Sequence, residues 1–198
     1  KVRKTGFTLA PEAGSDRLRQ VINKGILEED LLETSKTAFT LGWRIIKLYF
    51  MMGLPTETGE DLAALVDLAA RVKATGRGTQ GGADINVSVS TFVPKAHTPF
   101  QWDAQLNREE IRQRQEYLRE GLKRRRLRLK WHEAELSVLE GVFARGDRRL
   151  APVLLEQAGI DAVIGYTQRF RRHRVVIAVA GMEGALPSVL GGLVEAPV

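Results

Sequence analysis

IIKLYFMMGLPTETGED, residues 45–61, is the stretch that decides how this chain folds. It opens with Ile45, Ile46, Leu48, Tyr49, Phe50, Met51 and Met52, a run with the length and composition of a strand buried on both faces. A central strand is the expectation. Gly53, Leu54 and Pro55 follow, then Thr58, which can cap a helix, and Asp61, which can close a capping box. Strand, tight glycine turn and helix in succession form the junction where parallel α/β sheets bind ligands, because loops at the carboxyl ends of the strands carry the chemistry.

Working outward, Thr5-Gly6-Phe7-Thr8-Leu9-Ala10 reads as a first strand and Pro11-Glu12-Ala13-Gly14-Ser15 as a turn, with Ser15 capping a helix that carries Leu18, Val21 and Ile22. Residues 28–41 put Leu31, Leu32, Ser35 and Ala38 on one helical stripe, and Gly42 stops it. After the decisive stretch, residues 60–75 repeat Leu62, Leu65, Val66, Leu68, Ala69 and Val72 at helical spacing. Residues 76–82 are glycine-rich and read as a surface loop. A phosphate cradle fits less well there, because such loops lead into a helix and this one leads into a strand. That strand, INVSVSTFV at residues 85–93, sets Ile85, Val87, Val89 and Thr91 on one face, and Pro94 ends it.

Three strands centred near residues 8, 48 and 88 imply a βα repeat of about 40 residues. Right-handed crossovers then give a parallel sheet, open or closed. Three parallel strands leave exposed edges, and the chain begins inside its first strand, so it reads as part of a larger unit. Residues 95–106 form a loop with His97 and Trp102, and Asn107 and Glu110 make a capping box for a long charged helix. Leu127, Leu129 and Trp131 alternate as in a short strand, residues 133–144 bring Leu136, Leu139 and Val142 together on a helix, and residues 149–158 read as helical. From residue 159 the character changes. Residues 175–180 form a strand of the buried parallel type, Gly181-Met182-Glu183-Gly184 a tight loop, and residues 186–193 a helix start.

Forty-three per cent hydrophobic residues suffice for a core. No run approaches the roughly 18 apolar residues of a membrane span, and the charged start is not followed by a secretory apolar segment, so a cytoplasmic location and no membrane partner are expected. The chain has no cysteine, hence no disulfide, thiolate nucleophile or cysteine-held zinc or iron–sulfur cluster of its own. The net charge of +6 comes largely from residues 123–130 and 169–174, which can attract a polyanion such as nucleic acid or simply form solvated helix faces.

Read without any family, the candidate site is the row of strand ends: Glu12 and Ser15, then Gly53, Pro55 and Glu57, then residues 94–98. Glu12 before a Gly-Ser turn can accept hydrogen bonds from a ribose or an ammonium group, or merely favour a helix start. Glu57 carries the same ambiguity. His97 follows a strand end and could serve as an acid or base but has no visible partner, and no metal-ligand spacing links His97, His132 and His173. Nucleophile-elbow and paired-carboxylate signatures are absent.

Glu12-Ala13-Gly14-Ser15-Asp16-Arg17-Leu18, Asn23-Lys24-Gly25 and Phe50-Met51-Met52-Gly53-Leu54-Pro55-Thr56-Glu57-Thr58 resemble, in order and separation, the second half of a radical S-adenosylmethionine core. Ser90-Thr91-Phe92-Val93-Pro94-Lys95-Ala96-His97-Thr98-Pro99-Phe100-Gln101-Trp102 and Glu140-Gly141-Val142-Phe143-Ala144-Arg145-Gly146-Asp147-Arg148-Arg149 resemble an uncharacterised branch with a preceding cobalamin-binding domain. The resemblance covers residues 1 to about 155. It implies the C-terminal half of a partial (β/α)6 TIM-like barrel at residues 1–106, with three parallel strands, and a mostly helical extension at residues 107–158. It places Glu12 and Ser15 at the ribose or methionyl part of S-adenosylmethionine, Met51, Met52 and Gly53 along its adenine and methionine, and Phe92, Val93 and Pro94 where backbone meets adenine. The family cleaves that cofactor reductively with a [4Fe–4S] cluster on Cys-x3-Cys-x2-Cys. This chain departs there, so the cluster, any cobalamin and the amino-terminal half of the barrel are expected from outside it, and the chain alone is not expected to catalyse.

The tail, VVIAVAGMEGALPSVLGGLVEAPV at residues 175–198, resembles the carboxylase that starts nickel-pincer nucleotide synthesis, a relative of aminoimidazole ribonucleotide carboxylase. Ala185 stands where the purine enzymes carry a loop histidine. Residues 159–198 would be a truncated piece of that α/β fold. Two shortened enzyme segments in one chain imply an artificial join near residues 155–172, with a natural fusion as the alternative. The leading expectation is therefore a radical S-adenosylmethionine enzyme fragment supplying part of the cofactor wall, its substrate unknown. The alternatives are a carboxylase-like protein, or a basic nucleic-acid-binding piece using residues 123–130.

Overall fold

The computed structural model describes residues 6–79 and 83–152. The tail strand, loop and helix, and most of the helix expected at residues 149–158, lie outside the described residues. By its contacts the chain divides into two compact units, Lys1–Phe92 with Ala104–Glu135, and Val93–Asp103 with Leu136–Val198.

The first unit is built on a parallel sheet in the order β1 (Phe7–Glu12), β2 (Ile45–Met52), β3 (Asp84–Thr91), β4 (Arg128–Trp131). The order follows the chain without reversal. Helices α1 (Asp16–Val21), α2 (Glu28–Thr40), α3 (Gly59–Thr75) and α4 (Arg108–Arg124) make the crossovers. Ile46 lies beside Phe7 and Ile85, Leu48 beside Leu9 and Val87, and Val87 beside Leu129, so one apolar stripe runs across all four strands. Against it α3 presents Leu62, Leu65, Leu68, Ala69 and Val72, and α4 adds Ile111, Leu118 and Leu122, all buried. Burying each of these leucine, isoleucine and valine side chains is worth roughly 1.5–3 kcal/mol before conformational entropy opposes it.

Two expectations need correction. The central strand β2 is not buried on both faces: Ile46, Leu48, Phe50 and Met52 are at most 1 % exposed, whereas Tyr49 is 44 % exposed and Lys47 is also open. The helices cover one side, and the other carries Thr8, Lys47, Tyr49, Asn86, Ser88 and Ser90 at alternate register positions. Lys47 in the middle of the apolar run was the sign of that alternation. The sheet also has four strands where three were expected. Seventeen residues of α4 rise about 25 Å, enough to return the chain to the sheet, where β4 pairs with β3. The helix expected to open a separate extension thus packs with the sheet.

In the second unit, α5 runs Ala134–Arg145, beginning in the last residues of the first unit, and Arg148–Leu150 makes a 3-10 turn capped by Asp147. Lys95 pairs with Glu140 at 3.1 Å. Leu136, Leu139 and Val142 share one face of α5 as expected, and that face is open among the described residues. No described helix is long and apolar enough to cross a membrane.

Candidate functional site

The carboxyl edge of the first unit's sheet gathers unusual backbone. β1 carries a bulge between Leu9 and Glu12, so Glu12 pairs with Phe50, and its φ is +67°. Thr56, in the loop after β2, also has φ +67°, and Gly53 has φ +78°. Left-handed conformation at residues bearing a β-carbon costs about 1–2 kcal/mol, and such outliers concentrate at functional sites. The Glu12 carboxylate is about a quarter exposed and lies 3.5 Å from the Lys24 ammonium.

Ser15 caps α1 by accepting from the Leu18 N–H at 3.1 Å, and its hydroxyl donates to Asp61. Asp61 also receives the Thr58 N–H at 2.8 Å, the Thr58 hydroxyl at 2.9 Å and the Arg17 guanidinium. Burial pushes the Asp61 carboxyl up, but the hydrogen bonds from Ser15, Thr58 and Arg17 together overcome it and hold the pKa at about 2. Arg17 reaches on to the Thr56 hydroxyl at 3.1 Å and carbonyl at 2.9 Å, tying the loops after β1 and β2. Gly14 makes that junction possible, since a β-carbon there would stand 2.2 Å from the Leu65 backbone nitrogen.

Glu57, its side chain 3 % exposed, turns back under the loop. Its Oε1 accepts the Gly53 N–H at 2.8 Å and the Arg114 Nε at 3.1 Å. Burial raises its pKa, opposed by the Gly53 N–H and by Arg114, with Asp61 adding a smaller upward push. At Gly53 an added β-carbon would lie 2.6 Å from Leu106 Cδ1. Gly53→Ala should therefore lose about 2 kcal/mol from the left-handed backbone and overpacking together. Urea unfolding measures it, and Leu106→Ala in the same chain should restore only the steric share.

Glu12, Ser15, Met51, Met52, Gly53 and Phe92 thus stand along one sheet edge. Met52 is fully buried on the helix side, whereas Met51 is part-exposed. The Phe92 N–H donates to the Met52 carbonyl at 2.8 Å, carrying the ladder one residue past β3. Val93 and Pro94 are buried and belong to the second unit. Ser15 and the Gly53 amide spend hydrogen bonds inward, on Asp61 and Glu57. Arg17 and Arg114 were not singled out from sequence, because nothing in their local pattern marks a partner 44 or 57 residues away. His97 is exposed with φ +62°. Among the described residues no group of three or more His, Asp or Glu could hold a metal ion.

No family model matches the chain. No solved structure matches it. It is similar to the uncharacterized protein MJ0966 of Methanocaldococcus jannaschii, 35 % identical over 150 residues, which are 75 % of this chain and 32 % of the relative. The chain therefore spans about a third of the length of the curated relative it matches.

Proposed function

We propose that this chain is part of a radical S-adenosylmethionine enzyme and supplies one wall of the site for that cofactor, along the carboxyl edge of β1 to β3. The observation that carries the reading is the pairing of Glu12 with Lys24, because it joins two separate segments of the sequence resemblance, residues 12–18 and 23–25, at a strained bulge. An acid beside an ammonium suits a ligand with ribose hydroxyls, an α-ammonium and an α-carboxylate: Glu12 accepts from the first two and Lys24 meets the third. Part-exposed Met51 offers an apolar contact for an adenine face. The unreversed strand order supports a curved (β/α) wall, whose inner surface would be the polar face of Lys47, Tyr49 and Ser88.

The [4Fe–4S] cluster of the proposed family does not fit this chain's own residues, since its 198 residues include no cysteine. Radical generation is accordingly not assigned to any residue here, and this chain's part is binding and orientation. A cobalamin would likewise be held elsewhere. The carboxylase reading rests on residues outside the described ones.

Equilibrium dialysis against radiolabelled S-adenosylmethionine, with the chain joined to the amino-terminal barrel half that the reading assigns to the same site, tests the proposal. Saturable one-site binding is expected, weakened about tenfold by Glu12→Gln through loss of a charge-assisted hydrogen bond, with Glu29→Gln on the exposed part of α2 as control. Binding that ignores Glu12, or none that saturates, would sink the reading.

A further inference from the structure

Residues 76–79, directly after α3, and the basic end of α4, about fifty residues apart in the chain, line one cavity of about 610 Å³ in the first unit. Arg71, Lys73, Arg77, Arg125 and Arg126 stand in its wall with Gly76 and Gly78, and no acidic side chain is among the described lining residues. Two of the cations are balanced from outside, Arg71 by Glu28 and Arg125 by Asp67 at 2.8 Å. Lys73 donates to the Arg126 carbonyl at 2.8 Å, a partner that carries no charge. Arg77 and Arg126 have no ion-pair partner among the described residues. Three positive charges therefore remain.

Cations at helix carboxyl ends commonly just complement the backbone dipole. Here the ends of α3 and α4 each supply about half a negative charge, which offsets roughly one of the three. The remainder leaves the cavity net positive and attractive to an anion. A second observation agrees: Arg126, the residue after the C-cap of α4, has φ +54°. Helix ends normally give that position to glycine. An arginine kept there at a conformational penalty is an outlier of the kind that marks function.

We infer that this cavity binds a small molecule carrying a diphosphate or triphosphate. Guanidinium groups present planar forks that match phosphate oxygens. The volume lies within the roughly 300–1,000 Å³ of small-molecule sites, whereas a nucleic-acid backbone tracks along an extended groove. An added β-carbon at Gly78 would meet nothing within 4 Å among the described residues. The cavity sits where the chain leaves α3 and α4 to enter β3 and β4, the amino edge of the sheet, and so is separate from the proposed S-adenosylmethionine edge.

Isothermal titration of the full chain with inorganic pyrophosphate tests this. One saturable site is expected, weakening as salt rises. Arg77→Gln and Arg126→Gly should each lower affinity about tenfold or more, while Arg126→Gly raises the Tm without ligand by relieving the left-handed backbone. Arg124→Gln, exposed and 3.5 Å from Glu120, should change nothing. Absence of pyrophosphate binding, or equal affinity in the parent and both variants, overturns the inference. So does a single-stranded RNA that binds more tightly and resists displacement by pyrophosphate, which would make the surface a nucleic-acid site.

Discussion

Replacing Arg19 with methionine should destabilise the chain by about 3–5 kcal/mol. Arg19 is 1 % exposed, the largest fully buried side chain among the described residues. Its guanidinium donates to the carbonyls of Ala13 at 2.8 Å and Gly14 at 3.1 Å, its Nε donates to the Ile26 carbonyl at 3.0 Å, and it pairs with Asp16. Those carbonyls belong to the turn after β1 and the segment before α2, neither of which has a sheet or helix to satisfy it. Removing the guanidinium strands two buried acceptors and one half-buried one, each worth about 1–3 kcal/mol, with water able to rescue the last. Methionine keeps much of the volume, so the loss is one of hydrogen bonding, not of packing. Arg19→Lys should recover part of it, because an ammonium supplies three donors without the planar fork. Urea unfolding with an unchanged m-value is the measurement. A loss below about 1 kcal/mol in Arg19→Met would mean that the turn holds itself without this tie.

The parts of the fold legible in sequence were those with local causes. Capping boxes at Thr58/Asp61 and Asn107/Glu110 and the cap at Ser15 stand where the residue types put them, since a cap is made within about four residues. The apolar stripes of α2 and α3 and the alternation of β3 are likewise local periodicities. The burial of β2 was not legible because a strand's second face depends on what else the chain brings to cover it, and only Lys47 hinted that this face stays open among the described residues. β4 was too short for its four residues to be counted into the sheet until α4 was seen to return them.

The candidate site divides the same way. Glu12, Ser15 and Gly53 were marked by turn chemistry, and they do stand at strand ends. The electrostatics were not legible: Arg17 reaches Asp61 and Arg114 reaches Glu57 across the sheet's loops. The same is true of the cationic cavity. By sequence its loop fits a surface loop better than a phosphate cradle and residues 123–130 suit either a polyanion or a solvated face, and only folding places the two against one another.

Asp61→Asn should cost about 2 kcal/mol at neutral pH, and the deficit should vanish in acid. Asp61 is 4 % exposed, and four donors, from Ser15, Arg17 and both the N–H and hydroxyl of Thr58, converge on its carboxylate. Asparagine keeps the shape but replaces one acceptor oxygen with a donor facing other donors. The carboxyl's ordinary value is 3.8 and in the folded chain it is about 2. A depressed folded pKa contributes stability that is fully present above the unfolded value and is lost as pH falls through the folded one. The gap between parent and variant should therefore hold from neutral pH to about 5, shrink from about 4 downward, and be largely gone near 2. Glu57 shifts the other way: its raised pKa means the folded chain takes up that proton first, so its burial weighs against stability only at higher pH. It is present in both proteins, so to first order it cancels in the difference. A gap that stays constant down to pH 2 would assign the defect to packing; a gap that closes would establish that the charge itself locks the turn carrying Glu12 and Ser15 to the start of α3. Since that turn is the proposed cofactor wall, any S-adenosylmethionine binding by the chain should weaken over the same acid range.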